Sequence, residues 1–197
     1  IKDVNRPDLW STEGLARELK TRLGLKKGLQ NYAAKKSGLQ ILVNENVKEV
    51  RPLIVGCIAK NVNVTNDLLI QLIQLQEKIC LTYGRKRKEA AIGIYDFDKI
   101  KWPVYYKAFK GNELKFTPLD FEKKMRLNEI IELHPKGKEY GYLLAGKKSY
   151  PAVIDSNNEV CSMPPIINSN YTGKVTEKTK NLFIEVTGFD LEIISKS

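Results

Sequence analysis

Residues 159–169 read Glu159-Val160-Cys161-Ser162-Met163-Pro164-Pro165-Ile166-Ile167-Asn168-Ser169, and residues 183–188 read Phe183-Ile184-Glu185-Val186-Thr187-Gly188. Around them, residues 150–155 form a short apolar run that reads as a strand. Ser156-Asn157-Asn158 is a turn of residues that tolerate left-handed backbone, and residues 160–162 return from it as the second strand of a hairpin. Two consecutive prolines cannot donate to a sheet or continue a helix, so the chain is expected to swing away in extended form, carrying Asn168 with it. Residues 182–186 form another strand, apolar at Leu182, Ile184 and Val186. Glu185 alternates against that trio and so points to the opposite face. A carboxylate (Glu185), an amide (Asn168) and a hydroxyl (Ser162) are thereby expected to line one pocket.

Outward from this stretch the chain mixes strands and helices without regular βαβ alternation. That pattern predicts an α+β fold with mixed, largely antiparallel sheets and packed helices. Ser11 or Thr12 caps a predicted helix with the stripe Leu15, Ala16, Leu19 and Leu23, ended by Gly24. Residues 24–38, rich in glycine and lysine, read as a connector. The domain reading is therefore a partial N-terminal module and connector over 1–37 and one main domain over 38–197. Residues 39–43 and 47–50 alternate like a hairpin around Asn44-Glu45-Asn46, and the apolar run 53–59 reads as a central strand. Thr65 with Asn66-Asp67 opens the clearest helix, which runs to about Tyr83 before Gly84 stops it. Strands are read at 90–95, 104–109 and 114–119. A short helix around Leu127, Ile130 and Ile131 is halted by His134-Pro135. Residues 190–194 read as a helix barely begun, and Ile1-Lys2-Asp3 as the middle of a longer protein.

The 197 residues are 42% hydrophobic and 28% charged, in the range of chains that bury a core without staples. No apolar run has the length to span a membrane. Three widely spaced cysteines, Cys57, Cys80 and Cys161, make no metal-ligand spacing and suggest buried thiols in a reducing cytoplasm. With His134 as the single histidine, most histidine triads and multi-histidine metal centres are excluded. The formal net charge of +10 suits a polyanionic partner, although a solvated lysine surface gives the same number. Arg85 and Arg87, in the run Gly84-Arg85-Lys86-Arg87-Lys88, are the better phosphate candidates because guanidinium binds bidentately. The same run also suits a face turned to water.

Several segments occur in a telling order. They are Asn5-Arg6-Pro7-Asp8-Leu9-Trp10-Ser11, Leu72-Ile73-Gln74-Leu75-Gln76-Glu77-Lys78, Tyr83-Gly84-Arg85-Lys86-Arg87-Lys88, Ala91-Ile92-Gly93-Ile94, His134-Pro135-Lys136-Gly137 and Pro164 to Ser169. Across essentially the whole chain this series resembles the β subunit of archaeal and eukaryotic-type phenylalanyl-tRNA synthetase, in the part that contains the editing domain. The resemblance implies hydrolysis of the ester in tyrosyl-tRNA formed in error. Such a pocket needs an apolar slot with a polar reader of the tyrosine hydroxyl at its end. Glu185 takes that reading role, where the family carries aspartate. Asn168 co-reads the hydroxyl or holds the attacking water, and Ser162 contacts the amino or carbonyl group rather than acting as a nucleophile. Val153, Pro165, Thr187 and Gly188 are assigned to the lining. Arg85, Arg87, His134 and Lys136 are assigned to tRNA contact, with Lys138, Lys147 and Lys148 extending the path. Each residue also has a plainer reading. Glu185 suits the wet face of an edge strand, Asn168 a turn amide bonding its own backbone, and His134 a structural contact or a general base.

The resemblance implies no cofactor for editing, ATP and magnesium being used by the full synthetase at a site outside this chain. The implied partners are the acceptor end of tRNA(Phe), the tyrosine moiety it carries in error, and the synthetase α subunit in an α2β2 assembly, in the cytoplasm and away from membranes. Two other readings stay open: a non-catalytic tRNA- or subunit-binding module, and a pocket for a free aromatic amino acid.

Overall fold

The computed structural model describes residues 6–26, 28 and 32–197. The Asn5 end of the first motif lies outside the described residues. Among the described residues the elements are α1 (Thr12–Arg22), β1 (Ile41–Val43), β2 (Leu53–Ala59), α2 (Asn66–Leu81), β3 (Ala90–Asp96), β4 (Val104–Phe109), β5 (Lys115–Phe116), β6 (Met125–Arg126), α3 (Leu127–Leu133), α4 (Pro135–Tyr140), β7 (Tyr150–Ile154), β8 (Val160–Met163), β9 (Ile167–Asn168), β10 (Leu182–Gly188) and α5 (Leu191–Lys196). A five-stranded sheet runs β1-β4-β7-β8-β9 and a three-stranded sheet runs β2-β10-β3. Every pairing in them is antiparallel except β1 with β4. This is the α+β class expected from the sequence. No helix among the described residues is long and apolar enough to cross a membrane.

Helix starts follow their capping residues. Ser11 accepts from the Gly14 amide at α1, and Thr65 accepts from the Leu68 amide at α2. The hairpin β7–β8 turns where expected, and Asp155 holds it. One carboxylate oxygen of Asp155 takes the amides of Asn157 and Glu159, and the other takes the amide of Lys101.

Four expectations need correction. Residues 39–50 are not a hairpin. Asn44 accepts from the Asn46 amide and starts a 3-10 turn over Glu45–Val47, while β1 instead pairs in parallel with β4. The run 53–59 is a strand within those bounds, but β10 occupies the centre of its sheet and β2 lies at the edge. The proline pair does not carry the chain away. The Ile166 amide closes a tight turn onto the Met163 carbonyl, and β9 folds back on β8 with Asn168 opposite Ser162. Residue 166 supplies the amide that the prolines lack. Finally, Cys57 is exposed on β2, whereas Cys80 and Cys161 are buried; all three are free thiols.

The main core fills the space between the sheets, with Tyr95, Tyr106, Met163, Ile166 and Phe183 among its members. On β10, alternation divides the sequence between two interiors. Val186 packs with Ala90 and Ile194 under α5, while Phe183 joins the main core. Phe183 stacks on Tyr95 at 5.4 Å and meets the edge of Trp102 at 5.2 Å.

Arg51, only 2% exposed, ties the end of β10 to the basic turn. Its guanidinium donates to the Thr187 hydroxyl (2.9 Å), to the Thr187 carbonyl (2.5 Å), and to the carbonyls of Arg87 and Lys88 (3.1 Å each). The turn it holds has three successive left-handed residues, Arg85, Lys86 and Arg87, a conformation costly for side chains with a Cβ. Arg51→Leu removes the donor and leaves those buried acceptors unpaired. It is expected to lower unfolding free energy by about 3 kcal/mol, measured by urea denaturation.

Candidate functional site

A cavity of about 540 Å³ opens between the sheets, α2 and the loops before α3 and β10. Ser162 from β8, Asn168 from β9 and Glu185 from β10 all line it, as do Leu69, Leu72, Ile73 and Gln76 of α2, and Pro164, Pro165 and Ile166. The three polar groups expected together from the sequence do line one cavity, Ser162 and Asn168 from paired strands of one sheet and Glu185 from the other sheet.

Glu185 is 2% exposed and sits on the central strand, so the wet edge-strand alternative does not describe it. Its Oε1 accepts from the Tyr95 hydroxyl at 2.9 Å, and the same hydroxyl lies 2.8 Å from Ser162 Oγ. Its Oε2 is buried and has no hydrogen-bond partner among the described residues. Burial raises its pKa to about 7, against the hydrogen bond from Tyr95 and the charge of Arg51, which favour the anion. Tyr95 itself is pushed well above the usual phenol range, first by burial and then by the Glu185 charge. The close approach depends on Gly93. A Cβ there would lie 2.4 Å from the Tyr95 hydroxyl and 2.5 Å from Glu185 Oε1.

Asn168 does not bond its own turn. Its Nδ2 donates across to the Ile94 carbonyl of β3 at 3.1 Å, joining the two sheets at the cavity wall. Gly173 packs against it, where a Cβ would fall 2.3 Å from Asn168 Cβ. The outward backbone groups of β3 are covered in series. Gln76 Nε2 donates to the Ile92 carbonyl, the Ile92 amide donates to Cys80 Sγ, and the Asp96 amide donates to the Thr172 carbonyl.

Other assigned residues lie elsewhere or are otherwise engaged. Val153, opposite Ser162 in the β7–β8 ladder, is fully buried in the core and is not part of the lining. Thr187 is held by Arg51, and Gly188 packs against Glu89 and Ile194; neither lines the cavity. Arg87 lines it, but its guanidinium donates to the carbonyls of Pro165 (3.0 Å) and Ile166 (2.9 Å) and lies over the Tyr140 ring. It braces the proline turn instead of facing solvent. Arg85 is 76% exposed, with Glu89 at 4.0 Å. Lys136, at the rim, pairs with Glu139 at 2.9 Å. His134 is 4% exposed. Its Nδ1 accepts from the Lys136 amide, capping α4, and its Nε2 lies 3.3 Å from the Leu119 carbonyl. Both ring nitrogens are thus engaged, which leaves no lone pair for a general base.

The B3/4 domain matches residues 50–197. The chain belongs to the B3/4 domain family. The B3/4 chain is 56% identical to the phenylalanine–tRNA ligase β subunit of Pyrococcus horikoshii, over 97% of this chain and 34% of that one. It is 53% identical to the β subunit of Thermococcus onnurineus, over 98% and 34%. A crystal structure of an N-terminal fragment of the phenylalanyl-tRNA synthetase β subunit from Pyrococcus horikoshii matches with a TM-score of 0.93 at 55% identity, covering 98% of this chain and 55% of that one. The likeness read from the motifs is borne out. The chain spans about a third of the length of the curated relatives it matches.

Tyr95 was not among the residues singled out from the sequence. Its only signal there is alternation on a buried strand beside Gly93. Because burial raises the Glu185 pKa above its unfolded value, the anion destabilises the fold. Stability is fully retained below about pH 4.5 and declines as pH rises through about 7. Relative to Glu185→Gln, the wild-type chain is expected to lose on the order of 3 kcal/mol between pH 4.5 and pH 8, read from denaturation midpoints at each pH.

Proposed function

We propose that this chain hydrolyses the ester of tyrosyl-tRNA(Phe) in the cavity bounded by Ser162, Asn168 and Glu185. The observation that carries the reading is the buried Glu185 oxygen that lacks a partner among the described residues, in a cavity whose apolar lining comes from Leu69, Leu72, Ile73, Pro164, Pro165 and Ile166. A phenol hydroxyl satisfies that oxygen. A phenylalanine ring enters and leaves it unsatisfied, a difference large enough for discrimination. The volume is in the range of small-ligand sites and exceeds that of an aromatic side chain alone.

Water adds to the ester carbonyl, its oxygen joins the released amino acid's carboxylate, and the ribose oxygen leaves with a proton. Asn168 positions the water or the substrate, Ser162 contacts the amino or carbonyl group, and Pro165 shapes the wall. With His134 engaged at both nitrogens, positioning and polar stabilisation carry the step, assisted by the terminal ribose hydroxyl of the tRNA. The reading calls on no cofactor. Exposed Arg85 and the rim residue Lys136 are the cations assigned to the tRNA backbone, and a synthetase α subunit in the cytoplasm is the implied partner of the longer protein.

Deacylation of tyrosyl- and phenylalanyl-tRNA(Phe) tests this directly. The tyrosyl ester is expected to disappear faster, with Glu185→Ala lowering the tyrosyl-to-phenylalanyl rate ratio by about 10- to 100-fold. Asn168→Ala is expected to slow tyrosyl-ester cleavage. tRNA binding without cleavage of either ester would leave the chain a binding module.

A further inference from the structure

We propose that Tyr95 is the positioning residue of this site: its hydroxyl occupies Glu185 Oε1, so that Oε2 is the one acceptor presented to a ligand hydroxyl. This rests on the reading of Glu185 as the tyrosine discriminator.

A carboxylate offers two equivalent oxygens, and a reader with both oxygens unoccupied binds a hydroxyl in many poses. Here the oxygens are made unequal. The Tyr95 hydroxyl lies 2.9 Å from Oε1, while Oε2 has no partner among the described residues. A phenol has one proton to give. With an anionic carboxylate the Tyr95 proton goes to Oε1, and Ser162, 2.8 Å away on the facing sheet, donates to the phenol oxygen in turn. One hydroxyl therefore connects the discriminating carboxylate with the serine assigned to the substrate's polar end.

The position of that hydroxyl is fixed from all sides. Its ring is fully buried and stacks on Phe183, which Trp102 meets edge-on. Gly93 leaves the gap that lets the phenol and the carboxylate approach. Besides Tyr95, the charged group acting on Glu185 is Arg51, whose guanidinium is itself bound to Thr187 two residues along β10. Arg51 supplies long-range charge and Tyr95 the directed contact. Losing the contact is expected to make the anion harder to form and to free the carboxylate to rotate.

The test is the titration of Glu185, followed by ¹³C NMR of labelled glutamate carboxyls, in wild type, Tyr95→Phe and protein with 3-fluorotyrosine in place of tyrosine. Tyr95→Phe keeps the ring on Phe183 and is expected to raise the Glu185 midpoint by about one pH unit. The fluorinated phenol, a stronger donor in an unchanged fold, is expected to lower it, which keeps the test available should Tyr95→Phe unfold. In the deacylation assay, Tyr95→Phe is expected to raise KM for the tyrosyl ester about tenfold and to shift its pH profile upward with the titration. A midpoint unmoved by both substitutions overturns the proposal. If wild type cleaves neither ester, the hydrolytic reading falls, and the titrations still decide whether Tyr95 holds Glu185.

Discussion

Burying Glu185 in the face of β10 that looks toward the five-stranded sheet removes hydration that few groups replace. Much of the surrounding architecture answers to that placement. Gly93 withholds a side chain so that the Tyr95 hydroxyl can reach the carboxylate, and aromatic stacking through Phe183 and Trp102 keeps the phenol from turning away. Arg51 adds a buried positive charge from the end of the same strand. The carboxylate is left partly satisfied, with a pKa near neutrality and one oxygen unpaired. A fold selected for stability alone has no use for such a group, which agrees with the proposed role of Glu185 in telling a hydroxyl from its absence.

Two arginines show how cations can brace a cavity wall through backbone carbonyls. Arg87 reaches from the basic turn to the carbonyls of Pro165 and Ile166, and Arg51 holds the backbone of that turn through the Arg87 and Lys88 carbonyls. The cavity wall at the prolines is thus connected through two guanidinium groups to the end of β10. The delocalised fork of arginine suits this, because a single side chain satisfies several carbonyls whose directions differ.

The sequence made legible what depends on local pattern. Capping at Ser11 and Thr65, the asparagine-rich turn after β7, and the placing of Glu185 on the face opposite Leu182, Ile184 and Val186 all follow from periodicity and from which side chains can bond nearby backbone. The polar trio was legible for the same reason. What was not legible depends on partners distant in sequence. Nothing near residues 41–50 announces that β1 will pair in parallel with β4, and a proline pair signals a turn without giving its direction. Arg87 looked like a phosphate ligand because a run of cations does not reveal which member folds inward. Tyr95 was missed because alternation places it in the core without naming the carboxylate and serine it meets there, 90 and 67 residues away in sequence.

The two margins of the three-stranded sheet are treated differently. Along β3 the outward amides and carbonyls meet Gln76, Cys80, Asn168 and Thr172, and two of these, Gln76 and Asn168, also line the cavity. β2, Leu-Ile-Val-Gly-Cys-Ile-Ala, has β10 on one side and no strand on the other among the described residues, and it exposes a thiol at Cys57. It carries no lysine, proline or inward charge to discourage another chain from adding to it. Of the three cysteines, Cys57 on this margin is the one open to solvent, and so the one a thiol reagent reaches first in the folded chain.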